Sequence, residues 1–253
     1  MTQNLVVGEA TNRGVATGPV ERTRFTEEYG LPTYRLVSAN LADETEGGAV
    51  PHGFTIETGF DPAQRVTAAG LYWEAFSGKL GHLMRPEPKA LRFLDLALDP
   101  TFALSAVTPD GKLLGIAGYK TQTGAFVGGG LRELAACYGW PGTLWRAPLL
   151  ALLERKVEDG LLLMDGICVA PEARGRGVGS ALLDAVIGQA ERYDLRGVRL
   201  DVIDKNPRAR ALYERKGFHA TRTEEIGPLS FIFGFKTATT MIRSVSEAPD
   251  AAG

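Results

Sequence analysis

Two stretches of this sequence carry residues whose types and spacing suit chemistry. The first runs Val169-Ala170-Pro171-Glu172-Ala173-Arg174-Gly175-Arg176-Gly177-Val178-Gly179-Ser180. Its glycines let the backbone turn tightly and point successive N–H groups outward. A helix starting near Ser180 adds partial positive charge at its N-terminus. Amides from Arg174 to Ser180 then form a pocket for a diphosphate, and Arg174 and Arg176 add charge-assisted contacts. A dinucleotide fingerprint needs G-x-G-x-x-G, but the residue three after Gly177 is Ser180. No Gly-Lys-Ser/Thr is present for a Walker A loop. Taken alone, the stretch reads equally well as a structural strand-to-helix turn.

The second stretch is Asp204-Lys205-Asn206-Pro207-Arg208-Ala209-Arg210-Ala211-Leu212-Tyr213-Glu214-Arg215-Lys216-Gly217-Phe218. Together the two resemble the GNAT superfamily of acetyl-CoA-dependent N-acetyltransferases. The family loop, Arg/Gln-x-x-Gly-x-Gly/Ala, is matched by Arg174, Gly177 and Gly179. The family's second segment, roughly Asn-x-x-Ala-x-x-Leu-Tyr-x-x-x-Gly-Phe, is matched by Asn206, Ala209, Leu212, Tyr213, Gly217 and Phe218. Either segment alone is moderately specific; both in order are a strong match. The likeness spans about residues 53 to 243 and leaves the N-terminal arm uncovered.

The resemblance implies acetyl-CoA as co-substrate, with no metal. It implies two parallel strands that splay apart, with the pantetheine arm in the gap pairing with the backbone of Ile167 and Val169. The diphosphate would rest on the amides of Arg174, Gly175, Arg176, Gly177, Val178, Gly179 and Ser180. Asn206 would contact the pantetheine, and Tyr213 would lie near the thioester sulfur. An alkyl amine with a pKa near 10.4 must lose a proton before it attacks a thioester. A backbone N–H, that of Val169, suits the oxyanion, and a Tyr213 hydroxyl suits protonation of the leaving thiolate. For the base two acids compete, Asp201 before Asn206 and Asp165 on the other splayed strand, and a water chain is a third route. Strand alternation would put Asp165, Ile167 and Val169 on one face. Cys168, facing the other way, reads as a buried small hydrophobe rather than a nucleophile.

The elements that must position these groups follow from periodicity. Phe54–Thr58 alternates as a strand, and Asp61-Pro62 opens a helix carrying Val66, Leu71, Trp73, Ala75 and Phe76. Residues 87 to 98 read as a second helix, stopped by Asp99-Pro100. Strands at residues 101 to 108 and 113 to 119 flank the turn Pro109-Asp110-Gly111-Lys112. Residues 131 to 156 read as mostly helical, interrupted near Pro141-Gly142 and Pro148. A buried strand covers 161 to 169, an amphipathic helix 180 to 193, a strand 197 to 203 and a short helix 207 to 216 stopped by Gly217. Two strands close the chain, the last over residues 231 to 242, and the segment Phe231–Phe235 offers an edge for pairing in a homodimer. Trp73, Phe76 and Trp145 suit either an apolar acceptor pocket or the core.

The expected fold is mixed α/β, GNAT-like: a splayed central sheet flanked by helices, as one domain over residues 51–245. An N-terminal arm (1–50, with a short strand at Tyr34–Val37) and a tail (246–253) flank it. With 28 Lys+Arg against 30 Asp+Glu, the net charge of -2 offers no global attraction to nucleic acid or anionic membrane. Two cysteines form no disulfide framework, and the three histidines lie far apart, so neither oxidised staples nor zinc is expected. No stretch reaches membrane-spanning length, and the expected location is the cytoplasm. The expected acceptor is a small-molecule primary amine. Protein N-terminal or Lys acetylation, and a non-catalytic acyl-CoA sensor on the same fold, are the alternatives.

Overall fold

A computed structural model describes residues 36–37 and 53–245. Its strands form an eight-stranded sheet in the order β1-β2-β3-β4-β5-β6-β8-β7. These are β1 (Leu36–Val37), β2 (Thr55–Thr58), β3 (Ala103–Val107), β4 (Leu113–Lys120), β5 (Leu161–Val169), β6 (Gly197–Ile203), β7 (His219–Glu225) and β8 (Thr237–Ser244). The helices are α1 (Arg65–Met84), α2 (Glu87–Ala97), α3 (Leu131–Leu153), α4 (Val178–Arg192), α5 (Pro207–Arg215) and the short α6 (Ser230–Phe233). The expected arm and tail lie largely outside the described residues.

All pairings are antiparallel except β5 with β6, the pair joined by α4 as a crossover. The apolar stripe of α4 explains its seat: Leu182, Leu183, Val186, Ile187 and Ala190 are all buried. Burial of each large member contributes about 1.5–3 kcal/mol. On the entry to α1, the Asp61 side chain caps the 3-10 turn Pro62–Gln64 rather than the α-helix itself.

Three expectations need correction. Of the two breaks expected in α3, the one near Pro141-Gly142 is present, at Gly139 with φ of 69°, and the one at Pro148 is not, because the second half of the helix absorbs that proline. Phe231 lies on α6, not on a strand, so Phe231–Phe235 provides no strand edge for a dimer. The alternation along β5 is interrupted: Gly118 pairs with Gly166 and Tyr119 with Met164, leaving Asp165 as the extra residue of a bulge. Asp165 therefore cannot be assigned to the face of Ile167 and Val169 by counting in twos. Among the described residues, no helix is long and apolar enough to cross a membrane.

Candidate active site

The site begins where β5 and β6 part. They pair only at Leu161–Gly197, Leu162–Val198 and Leu163–Arg199. Beyond this, β5 continues on β4 as far as Val169 and β6 continues on β8 as far as Ile203, but not on each other. The local cause is the Asp165 bulge, which bends its strand. Gly166 takes φ 157° there, and a Cβ on it would lie 2.2 Å from the Phe76 ring of α1. Only glycine lets that ring press against the strand.

Alternation then decides which backbone groups face the wedge. Ala170 N–H donates to Leu114 of β4 at 2.8 Å, and the Cys168 carbonyl also faces β4 beside Gly115. Neighbouring residues along a strand point oppositely, so the N–H and C=O of Ile167 and Val169 face the opening.

The loop that follows supplies the second half of the site. Gly175 and Gly177 have φ of 80° and 79°, a region costly for residues with a Cβ. They carry the chain from the 3-10 turn Pro171–Ala173 into α4. Among the described residues, no carbonyl takes the amides of Gly175, Arg176, Gly177, Val178, Gly179 or Ser180. They stand bare at a helix N-terminus, an arrangement fitted to a diphosphate. A Cβ added at Gly179 would lie 3.7 Å from Leu212 of α5 and from Val169, so loop, strand and α5 converge here. Arg174 is turned away from these amides: its Nε donates to the Val169 carbonyl at 3.1 Å and its Nη2 to Glu74 of α1 at 2.6 Å.

Asn206 caps α5, its Oδ1 accepting from Ala209 N–H at 3.2 Å, which gives this residue a structural reason of its own. The helix so started buries Tyr213, 8% exposed, with its ring 6.0 Å from Phe218. Burial, with a smaller contribution from nearby Cys168, pushes the Tyr213 hydroxyl up to about 12. It is a proton donor, not a phenolate, at neutral pH. The Cys168 thiol is itself pushed up by burial and by Glu74, which keeps it protonated and inert.

The two acidic candidates have different surroundings. Asp165 lies near the half-buried Tyr72, whose hydroxyl is raised first by burial and then by the Asp165 carboxylate and Cys168. Asp201 is committed elsewhere. It accepts from Arg155 at 3.1 Å and from Thr240 at 2.5 Å, and lies 3.5 Å from Arg199. The structure thus makes Asp201 part of a charged network on the β6–β8 face, with none of the other expected site residues among these partners.

Sequence reasoning missed Tyr72 and Glu74. Tyr72 precedes Phe76 by one helical turn and stacks on it at 4.4 Å, a spacing visible in the sequence. Glu74 had no local signal, because its partner Arg174 is far along the chain. Trp73 is buried and lines a groove of about 570 Å³ with Ser77, Gly78, Gly81, His82 and Arg85. Trp145 is exposed and stacks on Arg146, so it lines no part of that groove.

The Acetyltransferase (GNAT) family model matches residues 67–218. Solved structures share the fold. An acetyltransferase is 22% identical, with a TM-score of 0.51 over 76% of this chain and 99% of its own. A GCN5-related N-acetyltransferase from Kribbella flavida is 20% identical, with a TM-score of 0.50 over 76% and 98%. An N-acetyltransferase from Staphylococcus aureus Mu50 is 15% identical, with a TM-score of 0.50 over 74% and 99%. The wedge, the bare loop amides and the family match lead to one conclusion: this chain belongs to the GNAT acetyltransferase family and is an acyltransferase working with acetyl-CoA.

Proposed function

We propose that the protein transfers the acetyl group of acetyl-CoA to the primary amine of a small molecule, by direct attack in a ternary complex. The observation that carries this reading is the β5–β6 opening, where the unpaired edge of Ile167 and Val169 runs into the bare amides of Gly175–Ser180. The pantetheine arm adds to that edge as a short strand would, and the diphosphate rests on the loop. The N–H of Val169 stabilises the oxyanion formed on attack. Tyr213, held protonated by burial, donates to the departing thiolate. Asp165, on the bulge beside Tyr72, is the base that takes the ammonium proton. Asp201, engaged by Arg155 and Thr240, holds the β6–β8 face together instead.

A small acceptor is supported by the groove on α1, whose volume of about 570 Å³ falls in the range of small-ligand sites. The test is thiol release from acetyl-CoA across a panel of small amines and Lys- or N-terminal peptides. Turnover with small amines sustains the reading, and turnover with peptides alone replaces it with a protein acetyltransferase. Tight acetyl-CoA binding without turnover on either panel leaves a sensor.

A further inference from the structure

The loop arginine is engaged where the co-substrate has to go. Arg174 holds the Val169 carbonyl and Glu74 at once. That carbonyl faces the wedge and is one of the acceptors in the reading above. Glu74 stands on α1 three, four and seven residues before Ser77, Gly78 and Gly81. In a helix this spacing is one stripe, and the last three residues line the groove. One guanidinium on the phosphate loop therefore joins the strand edge to Glu74, whose helical stripe leads to the groove.

We propose that the Glu74–Arg174 pair is a latch that acetyl-CoA opens, and that the released Glu74 then binds the ammonium of the incoming amine. The inference rests on the proposed pairing of pantetheine with Val169. An amide of that arm approaching the Val169 carbonyl competes with the Arg174 guanidinium already held there. The diphosphate on the neighbouring amides offers it a doubly charged partner, stronger than one carboxylate. The pair is poised to open because its side chains are 55% and 47% exposed, and such surface bridges are weak. Once Arg174 has left, Glu74 is an uncompensated carboxylate beside the groove, and a primary ammonium restores its balance. Binding is then ordered, with acetyl-CoA first and the amine second.

The experiment is calorimetric titration of acetyl-CoA into the full chain and into E74Q and E74A, followed by kinetics with the best amine of the panel. Without the carboxylate, Arg174 is freer, so both variants bind acetyl-CoA about two- to fivefold tighter. The amine KM rises by about tenfold or more with little change in kcat, the signature of lost ground-state binding. Product-inhibition patterns shift from ordered toward random. If the full chain binds and turns over acetyl-CoA but the variants bind it no tighter, or the amine KM does not move, the latch is wrong and the acetyltransferase reading stands. If the unmodified chain fails to bind acetyl-CoA, both fall together. Glu74 is on the surface, so the unfolding midpoint of either variant stays close to that of the parent.

Discussion

On the β5 side of the opening, Asp165 sits on a bulge beside the half-buried Tyr72. Across from it, on β6, Asp201 is held by Arg155, Arg199 and Thr240. Both are aspartates at comparable places on neighbouring strands. Asp165 lies close to Tyr72, whereas Asp201 sits among two guanidinium groups and a threonine hydroxyl. Under the proposed mechanism, proton transfer belongs to Asp165 and stability to Asp201.

The largest expected effect comes from removing the acid. Tyr213→Phe lowers kcat by about 10²–10⁴-fold with little change in acetyl-CoA affinity, measured by steady-state kinetics and calorimetry. Asp165→Asn lowers kcat by about 10²-fold and flattens the acid limb of the pH–rate profile. Asp201→Asn keeps that limb and instead costs about 2 kcal/mol of stability by chemical denaturation, since Arg199 loses a partner. An Asp201 variant with a flattened limb and intact stability would reverse the comparison.

Gly166→Ala costs on the order of 3 kcal/mol, because the added Cβ enters the Phe76 ring. In the loop, Gly177→Ala costs about 1–2 kcal/mol through its positive φ and weakens acetyl-CoA binding. Gly179→Ala is nearly neutral, since its Cβ would meet Leu212 and Val169 at an ordinary 3.7 Å.

Tyr213 also gives a pH dependence. Its folded value of about 12 lies above the ordinary 10, so the folded state holds that proton more tightly. The stability this brings is complete below pH 10 and is lost as pH rises toward 12. Denaturation midpoints between those values fall less steeply in Tyr213→Phe than in the parent.

Most elements were legible from periodicity and punctuation. The bounds of β5 and β6 match the apolar runs and their flanking glycines. The loop was legible because glycine at Gly175 and Gly177 marks backbone that other residues avoid. Less legible was the end of the chain. The apolar spacing of Ser230–Phe233 suits a strand, yet it folds as a helical turn against α1, where Gly234 comes close to the Gly78 carbonyl. The kink of α3 near Pro141 was legible, but it centres on Gly139 and none occurs at Pro148, because a proline-containing helix can persist when packing holds it, whereas a positive φ cannot be helical.

What the linear order of residues determined by itself was the alternation of strands and helices, the glycine loop and the motif that places Tyr213. These depend on neighbours within a few residues, where backbone preference and side-chain period act. What only the tertiary structure decided was the different surroundings of Asp165 and Asp201, and the meeting of Glu74 with Arg174. Charge balance and desolvation depend on which distant segments pack together, and spacing along a chain does not encode that.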